Sequence, residues 1–175
     1  ILVSSNLERL IFLATGEDAD QTTAYMHELE KTGHYQIKPA VLKKLQMTFS
    51  AGFASGDADR QAIATVFSKS DFAIDPHTAV AKAVADQYRQ ATNDDHPMVI
   101  VSTASPYKFP NAVLSAIEGH AVEVDGLDAV KQLQDHIQVP LPKAIKTLFQ
   151  AKIRHNTTVQ PDEMQAAITK ILKIE

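Results

Sequence analysis

The 175-residue chain is 45% hydrophobic and 22% charged, the balance of a folded globular protein rather than a disordered segment. A formal net charge of −4 and a pI of about 6.0 provide no basic face to neutralise phosphates, so neither a nucleic-acid binder nor an anionic-membrane binder is expected. The absence of cysteine excludes disulfide frameworks, thiolate metal sites and cysteine nucleophiles together, and a reducing, cytoplasmic compartment is expected.

Wholly apolar runs extend for only a few residues, far short of the roughly 20 a membrane-spanning helix needs. No charged start followed by an apolar stretch suggests a signal peptide. The opening Ile1-Leu2-Val3 has no initiator methionine and reads as the end of a buried strand already in progress. The sequence is therefore expected to be one domain, 1–175, forming the C-terminal portion of a longer protein.

Ser5-Asn6-Leu7-Glu8 has the spacing of a capping box, and Leu7, Leu10, Ile11 and Ala14 follow on one helical face up to Gly16. Asp18 and Gln21 repeat that logic, with Thr22, Tyr25, Met26 and Leu29 forming the stripe up to Gly33. A short strand is expected over Tyr35–Lys38. Pro39 then opens a helix through Val41, Leu42 and Leu45, because proline has no amide proton to leave unbonded there. Phe49-Ser50-Ala51-Gly52-Phe53 reads as strand or irregular backbone, and the polar turn Ser55-Gly56-Asp57 precedes a helix marked by Ile63, Val66 and Phe67.

Asp75-Pro76-His77-Thr78-Ala79-Val80 is a helix start with an Asp cap and proline in the first position, followed by an expected buried stripe of Val80, Ala83, Val84 and Tyr88. Local physics accounts for Asp75 and Pro76 but leaves His77 open as a surface, core or site residue. Met98 to Val101 is apolar at every position, as expected for a parallel strand buried on both faces. Helices are expected at Asn111–Ile117, Leu127–Ile137, Pro142–Phe149 and Pro161–Ile174. The last carries Asp162 and Glu163 at its start and Lys170 and Lys173 at its end, matching the helix dipole. The resulting class is α/β, a helix-rich fold with a short, mostly parallel sheet covered by helices; a mostly α domain is the alternative.

The seven histidines show no H-x-x-x-H or H-E-x-x-H spacing, so no metal site is predicted. Neither G-x-G-x-x-G nor G-x-x-x-x-G-K-[ST] occurs among the six glycines. Ser105-Pro106-Tyr107-Lys108 matches the S-x-x-K of serine acyl-transfer enzymes, but S-D-N and K-T-G are both missing. A hydroxyl cap ahead of Pro106 is the simpler reading of Ser105. Pro110 disfavours helical geometry at Phe109, so a short turn over 105–109 is expected before the main helix. That exit places Thr103 and Ser105 at the carboxyl end of a strand, where open α/β sheets bind ligands.

Three stretches, Ser5-Asn6-Leu7-Glu8-Arg9-Leu10-Ile11-Phe12, Asp75-Pro76-His77-Thr78-Ala79-Val80 and Ser102-Thr103-Ala104-Ser105-Pro106-Tyr107-Lys108-Phe109-Pro110, with Phe49–Phe53 between them, together resemble the C-terminal part of the bacterial and yeast-type threonine synthase family. The resemblance implies a pyridoxal-phosphate enzyme of the tryptophan synthase β-like fold that converts O-phosphohomoserine and water to threonine and phosphate. It assigns Thr103 to the hydroxyl contact with the cofactor's pyridine nitrogen, with Ser102 as the fallback, since a strand sends only one of two neighbours toward a ligand. The family's Schiff-base lysine, in a Ser-Phe-Lys-Asp-like motif, and its Gly- and Asn-rich phosphate loop are not found here; Lys108 lies in a different motif. No catalytic residue is therefore assigned. The missing N-terminal part is the implied partner, the isolated chain is expected to be inactive and unable to hold the cofactor tightly, and its uncovered apolar surface is expected to favour self-association. A non-catalytic α/β binding module is the competing expectation.

Overall fold

Local chemistry sets most helix boundaries in the computed structural model, which describes residues 3–174. The helices among them are α1 (Ser5–Thr15), α2 (Ala19–Thr32), α3 (Pro39–Gln46), α4 (Gly56–Ser70), α5 (Pro76–Thr92), α6 (Pro110–Glu118), α7 (Gly126–His136), α8 (Lys143–Leu148) and α9 (Met164–Leu172). Single 3-10 turns occupy Pro106–Lys108 and Pro161–Glu163. Gly16 and Gly33 end α1 and α2 in the left-handed region, at φ 85° and 80°, a conformation that glycine adopts without steric cost. Asp18 caps α2 by accepting the Gln21 amide at 2.9 Å. At α1 the cap is Ser4, one residue earlier than the expected box, accepting the Leu7 amide at 3.3 Å. Glu8 is thereby displaced from the position that would complete the box.

The expected sheet is not formed: no strand occurs among the described residues, and the helix-rich structure fits the mostly α alternative. Met98–Val101 is neither paired nor buried on both faces, since Val99 is 91% exposed and Val101 71% exposed. A strand exists only through hydrogen bonds to a neighbour. A continuous apolar run encodes the need for cover, not the partner that supplies it. Tyr35–Lys38 is likewise irregular. It is tied to α2 by Tyr35 packing on Tyr25, ring centroids 5.7 Å apart, and by the Lys38 amide donating to the Tyr25 hydroxyl at 3.1 Å. Of the strand end expected over residues 1–3, Ile1 and Leu2 lie outside the described residues.

The chain divides into two compact units, Ile1–Ala62 with His77–Thr103, and Ile63–Pro76 with Ala104–Glu175. In the first, α1 packs on α2 and α3, with Ile11, Tyr25, Val41 and Ala79 buried. The Phe49–Phe53 segment is irregular and meets α5 through Gly52, where an added Cβ would stand 2.9 Å from Val84 Cγ1. The expected α5 stripe is shifted. Thr78 and Ala79 are buried, Ala83, Val84 and Tyr88 are half-buried, and Val80 is exposed.

In the second unit, α6 packs on α7 with Val113, Leu114, Ala129 and Leu133 inaccessible to solvent. Each fully buried leucine contributes about 1.5–3 kcal/mol relative to an exposed one. Polar side chains close the loops around this pair. Asn111 donates to the Val124 carbonyl, Ser115 Oγ accepts the Val122 amide at 3.1 Å, and His136 Nε2 lies 2.6 Å from Glu118 Oε1. None of the residues of α9 is buried, although Met164, Ile168, Ile171 and Leu172 are apolar.

Candidate functional site

The residues singled out from the sequence fall at two places in the chain. Within the first unit, the opening turn of α5 brings Thr78 against the segment carrying Ser102 and Thr103. Pro76 starts the helix, which places Thr78 in its first turn with only 5% of its surface exposed. The Thr78 hydroxyl donates to Ser102 Oγ at 3.3 Å. Thr103 is exposed, and its side chain makes no hydrogen bond among the described residues. Of the two candidate hydroxyls, one is engaged by α5 and the other is uncommitted. His77 is exposed in the same helical turn.

In the second unit, Ser105 behaves as a cap. Its side chain accepts the Tyr107 amide at 3.3 Å and starts the 3-10 turn over Pro106–Lys108. The Lys108 ammonium lies 5.5 Å from the centre of the Phe109 ring. Tyr107 is 2% exposed and donates to the Val139 carbonyl at 2.6 Å, and burial raises its phenol above the ordinary value of 10.0. The S-x-x-K spacing thus produces a capped turn anchored by the tyrosine between its serine and lysine. Pro110 opens α6 directly after it, as its restriction on the preceding residue predicts.

Asp94, Asp95 and His96 hold three potential ligand atoms within 4.8 Å of one another. The Asp94 carboxylate is already engaged, accepting the His96 amide at 3.0 Å and the Tyr88 hydroxyl at 3.2 Å, with His96 Nδ1 at 2.6 Å. The backbone amide of His96 is the main cause, with the His96 ring and Tyr88 adding to it, that holds the Asp94 carboxyl below its ordinary 3.8. The cluster closes the loop after α5.

Thr78 is a candidate-site residue that the sequence does not single out, because a threonine in a first helical turn is ordinary. The order Asp75-Pro76-His77-Thr78 places its hydroxyl in the first turn of α5, but its burial, and with it the need for a partner, comes only from the packing.

The geometry can be set beside known proteins. Residues 78–171 match the family model described as threonine synthase, C-terminal. The human protein named threonine synthase-like 1 is 40% identical over 118 residues, 67% of this chain and 16% of that protein. A crystal structure of pyridoxal-phosphate-bound threonine synthase from Brucella melitensis superimposes with a TM-score of 0.56 at 30% identity, covering 78% of this chain and 33% of that one. Threonine synthase from yeast shares the fold over 100% of this chain and 35% of its own, with a TM-score of 0.71 at 23% identity. The chain spans about one third or less of each of these proteins. With the family model covering more than half of its length and both hydroxyl-bearing stretches within or beside the match, the chain belongs to the threonine synthase C-terminal family.

Proposed function

We propose that this chain forms the C-terminal part of a cytoplasmic threonine synthase, a lyase that converts O-phosphohomoserine and water to threonine and phosphate with pyridoxal phosphate. The observation that carries the reading is the uncommitted hydroxyl of Thr103 beside a Ser102 already engaged by Thr78, in a segment matched by the family model. The residues fit the cofactor's ring edge. A threonine hydroxyl is a neutral donor with a free proton, suited to a pyridine nitrogen that is to remain largely unprotonated. Pyridoxal phosphate, when bound, supplies an electron sink for carbanion chemistry.

The role of Thr103 is to donate its hydroxyl proton in a hydrogen bond, orienting the ring without adding charge. Ser102, held on Thr78, supports the backbone beside it. The covalent anchor and the phosphate cradle belong to the part of the family enzyme whose motifs this sequence does not contain, so the isolated chain neither retains the cofactor nor releases phosphate. The same part would cover the apolar run Met98–Val101 and supply the missing strand partner; left uncovered, Val99 and Val101 favour self-association.

The experiment is reconstitution in two pieces. The purified chain is mixed with the N-terminal part of a family enzyme carrying the lysine and phosphate-loop motifs, then assayed for phosphate release from O-phosphohomoserine. Activity is expected only in the mixture, with Thr103→Val reducing it at least about tenfold and Ser102→Ala by less. Phosphate release by the chain alone, or a visible cofactor band that survives gel filtration and disappears on mutating one of its lysines, would refute the reading. The second reading is a non-catalytic binding module. It predicts an inert mixture.

A further inference from the structure

Residues 97–103 carry Thr103 yet make no backbone hydrogen bond to any other element among the described residues. They form neither helix nor strand. Their apolar side chains do not bury the segment either, since Val99 and Val101 face solvent and Met98 and Ile100 are only half-buried. The segment's polar tether is the hydrogen bond from Thr78 to Ser102, 24 residues apart in sequence. Thr78 suits that task. Its backbone belongs to a helix, it is almost wholly buried, and a threonine in a helix is restricted to two main χ1 rotamers. Burial and the hydrogen bond to Ser102 favour the rotamer that faces the segment. Pinning Ser102 also restricts Thr103, because a planar peptide joins the two residues and leaves only the soft dihedrals on either side.

We propose that Thr78 and Ser102 form a hydroxyl clip that sets the orientation of Thr103, making Thr78 a positioning residue for the acceptor Thr103 meets. The acceptor is a neutral aromatic nitrogen, and this part of the inference rests on the cofactor reading given above. The clip acts through the backbone. Thr78 need not touch the cofactor, and its effect reaches the site through Ser102 and the peptide that follows.

The test uses the 175-residue chain and its variants Thr78→Val, Thr78→Ser and Ser102→Ala. Backbone ¹⁵N relaxation at residues 101–103 is expected to give order parameters near the rigid-backbone value of about 0.85 in the parent chain. Thr78→Val and Ser102→Ala are expected to lower them below about 0.6, the range of flexible backbone, while the spectrum elsewhere is unchanged. Thr78→Ser, which keeps the hydroxyl, is expected to restore them. Ser102 is exposed, so Ser102→Ala tests the clip even if Thr78→Val fails to fold. Unchanged order parameters in Ser102→Ala overturn the proposal. A second arm mixes each variant with the N-terminal part of a family enzyme, titrates with pyridoxal phosphate and follows the Thr103 methyl shift, where Thr78→Val is expected to weaken the response about fivefold. If the clip variants loosen residues 101–103 but no mixture, the parent's included, responds at Thr103, the clip stands and the cofactor reading fails.

Discussion

Replacing Tyr107 by Phe removes one oxygen atom from the second unit and leaves the ring in place. The ring is 2% exposed and its hydroxyl donates to Val139 at 2.6 Å, joining the turn after Ser105 to a loop 32 residues further on. No cavity larger than the oxygen is created, so the cost is the hydrogen bond, a net 0.5–1.5 kcal/mol or so. The abandoned carbonyl adds a penalty. Because Val139 is only half-buried, water recovers part of it, and the expected total is about 1–2 kcal/mol. The pH dependence provides an independent check. Burial raises the Tyr107 phenol above 10.0, so as pH rises past 10 the unfolded chain loses this proton before the folded one does. The parent chain's stability then falls with pH, whereas Tyr107→Phe has no such proton to lose. Urea unfolding, followed by the methyl signals of Leu133 and Leu141, should give a gap of about 1–2 kcal/mol below pH 10 that narrows above it. A gap under about 0.3 kcal/mol, outside the range for a lost hydrogen bond, or one that stays constant from pH 8 to about 11, refutes the anchoring role of Tyr107.

Other elements make separate predictions. Gly52→Ala places a Cβ 2.9 Å from Val84 Cγ1 and is expected to destabilise the first unit by about 1–3 kcal/mol; adding Val84→Ala should recover most of the loss in a thermal melt, and no recovery would contradict the close approach. The Asp94 carboxyl should titrate below 3.8 in carbon-detected NMR, and its loop should lose stability as pH falls through that lowered value. Titration at or above 3.8 would show that His96 and Tyr88 do not hold it. The amides of Met164–Leu172 should exchange at nearly unprotected rates, because α9 has no buried residue and an isolated helix of this length is marginal in water. Strong protection there would mean that another surface covers α9. Ser105→Ala should cost about 0.5–2 kcal/mol through loss of the cap on Tyr107, and an acylating probe should leave Ser105 unlabelled.

Short-range chemistry determined much of this protein by itself. Proline at 39, 76 and 110, Asp18, and the glycines at 16 and 33 fix where helices begin and end because each acts within a few residues through a missing amide proton, a carboxylate acceptor or a left-handed turn. The ordered motifs around Thr78 and Ser102–Pro110 likewise identify the family without coordinates. Tertiary structure decided what depends on partners distant in sequence. It showed that Val99 and Val101 are uncovered rather than paired, that Val80 faces outward while Thr78 and Ala79 turn inward, and that Tyr107 reaches Val139. It also separated Ser102 from Thr103. Sequence spacing makes those neighbouring hydroxyls interchangeable candidates, and only the position of Thr78 in space, 24 residues away along the chain, shows which one is engaged.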